Sequence, residues 1–218
     1  MRDRDAPLSA DKVEALAWDK MDGLLPALVQ DADTGQLLML AYMNADALRA
    51  TLDSGLVTFW SRSKGRLWTK GETSGDRLEL RSVHGDCDGD ALLVRAVPQG
   101  PTCHLGTVSC FAASGPVGAG WLGQLARTVS ERSAADPAES YTAKLLAKGP
   151  VRIAQKVGEE GVEVALAAAT GDRAGCISET ADLLYHLTVL MQSQGFGWAD
   201  VIAELQKRHV PSPQGGEG

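Results

Sequence analysis

The sequence predicts a two-domain α+β protein, β-rich in its first half and all-helical in its second, and three observations carry that expectation. Before residue 112 the apolar residues come in short, strand-length runs separated by polar turns. After residue 120 they recur at helical spacing over long stretches. Between the two halves, Ala112 to Gly120 is small, glycine-rich and aperiodic, and reads as a linker. The expected boundaries are a first domain over 1–112 with its core from about residue 20, a linker over 113–120, a helical domain over 121–210 and a disordered tail over 211–218.

Leu24 to Gln30 and Leu37 to Tyr42 are apolar runs separated by Asp33-Thr34-Gly35, with glycine where a turn wants positive φ, so they predict a hairpin. Asn44 can cap a short helix running through Leu52. Val57 to Trp60, Arg77 to Val83 and Ala91 to Val97 are β-branched or alternating and predict further strands. In the second half Trp121 to Arg132 has helical spacing. Asp136-Pro137 offers an N-cap with proline at the first helical position, and Gly149-Pro150 ends that helix. Val151 to Thr170 and Ala174 to Gln194 predict two long helices joined around Gly171-Asp172, with a shorter one from Trp198 to His209. The first ten residues are polar and uninformative.

At 218 residues and 44% hydrophobic, the chain can bury a sizeable core. A formal charge of −7 and a pI near 5.1 argue against a nucleic-acid surface, which normally needs a basic face. No charged start leads into an apolar stretch and no 18-residue apolar run occurs, so neither a signal peptide nor a membrane span is expected. Three of the four cysteines are crowded together, which favours metal binding in a reduced compartment over disulfides. The expected location is the cytoplasm.

The crowded segment runs Asp86-Cys87-Asp88-Gly89-Asp90, then Cys103-His104, then Cys110. Three thiolates fill three of the four positions zinc takes and leave one for water, as a catalytic site requires. If Asp86 to Asp90 is extended, the three aspartates face one way and Cys87 the other, so two metals on two faces is the simplest reading. A calcium loop fails because its sixth and twelfth positions hold Ala91 and Val97. A structural zinc closed by His104 or His84, or plain buried thiols, stays open as the bland alternative. Zinc-activated water can attack an electron-poor purine carbon such as C6, and His104 is the best-placed proton carrier. Upstream, Ser61 to Gly75 is dense in cations, hydroxyls and glycine, which suits a phosphate-binding loop or a solvated charged one. Trp60 and Trp68 read as packing residues before base-stacking platforms.

Tyr42-Met43-Asn44, Trp60-Ser61-Arg62-Ser63, Leu67 to Gly75, Asp86 to Asp90, and Gly100-Pro101-Thr102-Cys103-His104 through Cys110-Phe111 together resemble phosphoribosyl-AMP cyclohydrolase of histidine biosynthesis, over about residues 20 to 112. The resemblance implies zinc on Cys87, Cys103 and Cys110, magnesium on Asp86, Asp88 and Asp90, and His104 as catalytic proton carrier. It implies nucleotide contacts from Ser61, Arg62, Ser63, Lys70, Gly71, Glu72, Thr73 and Ser74. It also implies a homodimer with composite zinc sites, Cys87 from one chain and Cys103 with Cys110 from the other, and a reaction in which water opens the adenine ring between N1 and C6.

In the second half Glu159-Glu160-Gly161-Val162-Glu163 is followed by Glu179-Thr180-Ala181-Asp182. Residues three apart share a helix face, which pairs Glu160 with Glu163 and Glu179 with Asp182. Across the predicted hairpin Glu160 comes level with Asp182 and Glu163 with Glu179, both pairings being centred on Gly171. Four facing carboxylates repel unless protonated or bridged by a cation, and hard oxygen donors suit Mg²⁺ held together with substrate phosphates. A solvated acidic face with partners such as Lys156 is the competing reading. This spacing is the pattern of the all-α nucleoside triphosphate pyrophosphohydrolases. With Ser140 to Leu145, Lys156-Val157-Gly158 and Leu183-Leu184-Tyr185-His186, it resembles phosphoribosyl-ATP pyrophosphohydrolase over about residues 121 to 209. That implies Mg²⁺ on Glu160, Glu163, Glu179 and Asp182, with Glu159 as a nearby ligand or water-activating base; by their own spacing, Arg152 and Lys156, one turn apart, can meet phosphate or equally well lie solvated on the surface. Cys176 reads as a small core residue; His84, His186 and His209 receive no role.

The two resemblances fit one expectation, a bifunctional hydrolase that releases pyrophosphate from phosphoribosyl-ATP and then hydrolyses the product. Its rivals are a general nucleotide pyrophosphohydrolase fused to another zinc hydrolase, and a zinc-stabilised nucleotide-binding regulator.

Overall fold

The structure, a computed structural model, describes residues 6–111 and 115–209. The expected tail over 211–218 and the first three residues of the glycine-rich stretch lie outside the described residues. The chain divides into two compact units, one up to Gly120 and one from Trp121. No helix among the described residues is long and apolar enough to cross a membrane.

The first unit is built on a four-stranded sheet. Its strands are β1 (Leu25–Asp31), β2 (Leu37–Met43), β5 (Leu78–Gly85) and β6 (Leu92–Pro98), in the order β2-β1-β6-β5, with β1 and β6 parallel and the other pairs antiparallel. Strict alternation along β1 buries Leu25, Ala27, Val29 and Asp31 on one face. The β1–β2 hairpin closes as its sequence predicts: Gly35 takes φ +71 and its N–H donates to the Asp31 carbonyl at 2.9 Å. Asn44 caps α1 (Ala45–Ser54) by accepting from the Ala47 N–H at 2.8 Å, and Gly55, also left-handed, ends it. The helix lays Ala47, Leu48 and Thr51 on the core.

Two readings of this half need correction. Ser61 to Gly75 is not loop throughout, because β3 (Thr58–Ser61) pairs with β4 (Arg66–Thr69) in a second, two-stranded sheet. The cations hid a strand whose inward rings, Phe59 and Trp68, pack with centroids 5.7 Å apart. The start of the chain, expected to be uninformative, is also structured from Ala6 onward. Leu8 donates its N–H to Val83 at 2.7 Å, and two 3-10 turns (Ala10–Ala15, Trp18–Met21) bring Val13 and Leu16 into the core.

The second unit is helical: α2 (Trp121–Ser133), α3 (Tyr141–Ala147), α4 (Pro150–Ala169), α5 (Arg173–Gln194) and α6 (Trp198–His209). Val129, Leu145, Ile153 and Val189 form its core. The helix predicted from Asp136-Pro137 starts later than that signal. Asp136 instead accepts from the Ala138 N–H in a turn, and Ser140 caps α3 by accepting from the Ala143 N–H at 3.2 Å. Pro150 opens α4 as well as closing the corner, a place where its missing N–H costs nothing. The α4–α5 turn is where the sequence puts it: Gly171 takes φ +74 and Asp172 caps α5 through the Gly175 N–H at 3.0 Å.

Candidate active sites

In the first unit a cleft of about 510 Å³ opens between the turn after β4 and the segment after β6. Lys70, Gly71, Glu72, Thr73 and Ser74 line it from one side, and Cys103, His104 and Cys110 from the other. The predicted loop and two of the three predicted thiols thus share a cavity. Ser61, Arg62 and Ser63 do not line it. They form the β3–β4 turn, where the Ser61 hydroxyl lies 3.4 Å from that of Ser63 and the Arg62 guanidinium lies over the Tyr42 ring at 4.1 Å.

The cleft wall is held from behind. Lys70 is buried and its Nζ donates to the Asp76 carbonyl at 3.0 Å, while Glu72 is bonded to Arg66 at 2.6 Å, which holds its carboxyl below the usual range. A Cβ on Gly71 would meet the Asp76 carbonyl at 2.5 Å, so the chain can pass there only as glycine. Sequence reasoning missed Asp76, around which this wall folds. It also missed Thr102, whose hydroxyl is buried with no hydrogen-bond partner among the described residues.

The thiols are unequal. The Leu105 N–H, with the Thr107 hydroxyl, pulls Cys103 toward thiolate, whereas burial and then the charge on Cys103 push Cys110 up. His104 Nδ1 is 3.9 Å from the Cys103 sulfur. Cys87 stands apart: no group of potential ligands among the described residues unites it with Cys103 and Cys110 in one chain.

Asp86 to Asp90 is not extended, contrary to expectation. It is the β5–β6 turn, in which Asp86 Oδ1 accepts from the N–H groups of Gly89, Asp90 and Ala91 at 2.8, 3.0 and 3.2 Å. The turn cancels the alternation, so Asp86, Cys87 and Asp88 offer ligand atoms within 4.8 Å of one another instead of on opposite faces. Lys20, unremarked in the sequence, bonds Asp88 at 2.5 Å and Asp90 at 3.3 Å.

In the second unit the helical hairpin brings the four acids to adjoining faces. Glu160, Glu179 and Asp182 place carboxylate oxygens within 4.8 Å of one another, and Glu163, one turn on, interacts with both Glu160 and Glu179. Glu160 is 4% exposed. Lys156 binds it at 2.6 Å and holds its carboxyl down, and the same ammonium takes Glu159 at 2.8 Å. Lys156, its own pKa raised by both partners, is thus committed to carboxylates before any phosphate arrives. Glu159 is kept low by Lys156 and by Arg152 at 3.2 Å. No cation among the described residues pairs with Glu179; desolvation and the Glu163 charge push its pKa up.

His186, buried and given no role by the sequence, lies behind this cluster. Its Nδ1 is 2.9 Å from the Asp182 carbonyl, which can only accept, so Nδ1 carries the proton and also points to Glu160 Oε1 at 3.6 Å. Tyr141 then donates its hydroxyl to Nε2 at 3.3 Å. The signal was there: His186 follows Asp182 by four residues, on the same face of α5.

The donor sets suit two different metals. Converging carboxylates are a hard oxygen set for Mg²⁺, and thiols beside a histidine form a soft set for zinc.

Known families divide the chain where the fold does. A phosphoribosyl-AMP cyclohydrolase model matches residues 39–112 and a phosphoribosyl-ATP pyrophosphohydrolase model matches residues 122–209. The histidine biosynthesis bifunctional protein HisIE of Photobacterium profundum is 56% identical over 202 residues, covering 90% of this chain and 98% of that one. The protein of the same name from Escherichia coli is 58% identical over 196 residues, covering 89% and 95%. With a cyclohydrolase half and a pyrophosphohydrolase half in one polypeptide, the chain belongs to the bifunctional HisIE family of histidine-biosynthesis enzymes.

Proposed function

We propose that the two units catalyse consecutive hydrolyses, the helical unit cleaving phosphoribosyl-ATP to phosphoribosyl-AMP and pyrophosphate and the β-rich unit opening the adenine ring of that product. The observation that carries the helical assignment is the convergence of Glu160, Glu179 and Asp182 within 4.8 Å, a set that repels itself unless a cation joins it. Glu160, Glu163, Glu179 and Asp182 would hold Mg²⁺ there. Glu159, kept ionised by Lys156 and Arg152, would accept a proton from water; its sharing of the Lys156 ammonium with Glu160 supports that role.

In the β-rich unit Cys87, Cys103 and Cys110 would hold zinc, with Cys87 supplied by the second chain of a homodimer. That Cys87 joins Asp86 and Asp88, and among the described residues no ligand group with Cys103 and Cys110, supports that sharing. Those three thiolates would hold a zinc whose chemistry would be to supply water of lowered pKa as the nucleophile for C6. His104, exposed at the rim beside Cys103, takes and returns protons as the ring opens. Lys70, Gly71, Thr73 and Ser74 orient the nucleotide, and the unpaired Thr102 hydroxyl offers it a further bond. Asp86, Asp88 and Asp90 would hold Mg²⁺, which must displace the Lys20 ammonium from Asp88 and Asp90.

We place the boundary of independently folding domains between residues 112 and 121, following the glycine-rich stretch. The decisive experiment supplies the full-length chain with phosphoribosyl-ATP, Mg²⁺ and zinc and follows pyrophosphate and ring-opened product. Both should appear, in that order. Pyrophosphate release from many nucleotides without ring opening would favour a general nucleotide pyrophosphohydrolase, and absence of turnover would favour a nucleotide-binding regulator.

A further inference from the structure

Beside the carboxylate cluster the helical unit carries a second concavity, opposite in charge. It encloses about 170 Å³ and is lined by Tyr141, Lys144, Leu145, Lys148 and Arg152. The three cations come at intervals of four residues, from α3, its C-cap and the first turn of α4, around the corner at Gly149. Spacing of four puts Lys144 and Lys148 on one side of α3, and the corner at Gly149 turns Arg152 onto the same cavity.

Their charge is largely uncompensated. Lys144 and Lys148 are exposed and have no ion-pair partner among the described residues, and the first turn of α4 has no acidic residue. The carboxylate at the edge is Glu159, 3.2 Å from Arg152, and it is shared with Lys156 at 2.8 Å. Three cations converging on one small cavity repel one another unless an anion fills it. The pocket also shares its walls with the carboxylate cluster. Tyr141 touches His186 Nε2 at 3.3 Å, His186 Nδ1 faces Glu160 at 3.6 Å, and Arg152 binds Glu159.

We propose that this pocket binds a phosphate group of the nucleotide, the ribosyl 5-phosphate that phosphoribosyl-ATP carries and ATP lacks. The proposal rests on the reading that the helical unit acts on phosphoribosyl-ATP. The physical division is by counter-charge. The triphosphate is neutralised by a divalent cation on the carboxylates, whereas a phosphate beyond that cation's reach needs lysine and arginine. The pocket therefore selects the substrate over the abundant nucleotide that differs from it by one phosphoribosyl group. The terminal phosphate of the triphosphate is the other source of the same chemistry.

The test uses the full-length chain carrying Lys144→Ala and Lys148→Ala together. The readouts are KM and kcat for pyrophosphate release from phosphoribosyl-ATP, the inhibition constants of ATP and ribose 5-phosphate, and Mn²⁺ binding by electron paramagnetic resonance. KM for phosphoribosyl-ATP should rise about tenfold or more with kcat within about twofold, since charged hydrogen bonds to phosphate of this strength are lost. Ribose 5-phosphate should inhibit more weakly, ATP and Mn²⁺ binding should stay as they were, and Lys144→Arg with Lys148→Arg should restore most of the affinity. An equal rise in KM and in the ATP inhibition constant would overturn the assignment and give the pocket to the triphosphate end. Unchanged KM in a variant with the parent's melting temperature would show that the pocket holds no phosphate. Failure of the unmodified chain to release pyrophosphate from phosphoribosyl-ATP would instead strike the functional reading itself.

Discussion

The carboxylate cluster and the thiol cleft are built in opposite ways. The cluster comes from one helical hairpin, so its carboxylates are close in sequence, fixed in register by a single turn and brought together within one chain. The thiol cleft draws on the turn after β4 and the segment after β6, while Cys87 sits on the β5–β6 turn, outside the group. A site on regular helices is a local property of the chain, and a site on loops depends on how distant segments are packed. This contrast sets what each site should tolerate.

The largest expected effect separates the sites. Glu160→Gln removes the buried member of the carboxylate cluster without disturbing the sheet, so pyrophosphate release should fall by roughly a hundredfold or more while supplied phosphoribosyl-AMP is still consumed. Parallel loss of both activities would mean that the two regions do not act independently.

The next effect probes how the thiol site is shared. Chains with Cys87→Ser and chains with Cys103→Ser should each be inactive as cyclohydrolases, yet a mixed dimer keeps one complete site of two. Random re-pairing makes about half the dimers mixed, so roughly a quarter of normal activity and bound zinc should return after co-refolding. Proven subunit exchange without recovery would place all three thiols of a site in one chain.

Lys20→Gln sharpens the comparison at the aspartate turn. Removing the ammonium that bridges Asp88 and Asp90 leaves their charges for a divalent ion, so Mn²⁺ binding by the β-rich unit should tighten by roughly two- to threefold, the modest size expected of an exposed pair. Weaker binding would mean that Lys20 helps to form the site.

The smallest effect is on stability. Glu179 is desolvated and repelled by Glu163, with its pKa raised, so its ionised form opposes folding of the metal-free helical unit, and the penalty grows as pH rises through that pKa. Glu179→Gln should raise the melting temperature in chelator by roughly 1–3 °C at neutral pH, with little gain at acid pH, and abolish the gain in stability that Mg²⁺ gives the parent. A lower melting temperature in chelator would show that the carboxylate is stabilising.

Much of this was legible in the residues. Helical periodicity, the Gly171 turn and the i,i+3 acids set the hairpin and its cluster without any tertiary information, because a helix has one pitch and a short turn allows one register. Asn44 and the Asp33-Thr34-Gly35 turn declared themselves by side-chain chemistry that only acts locally. The miss at β4 arose because cations flanking a short strand look like a charged loop when the partner strand is unknown. The miss at Ser140 arose because two good caps lay four residues apart and packing chose between them.

By itself, then, the sequence determined the order of β-rich and helical halves, the carboxylate and thiol chemistry of the two candidate sites and the hairpin register, all of which depend on residue identity or on contacts within a few turns of the chain. Only the tertiary structure decided that Lys20 reaches across 68 residues to Asp88, that Gly100 packs against the Asp76 side chain, and that Cys87 joins no ligand group with Cys103 and Cys110 among the described residues. Those contacts join segments whose separation along the chain says nothing of their separation in space, and long-range packing of apolar faces, not local propensity, brings them together.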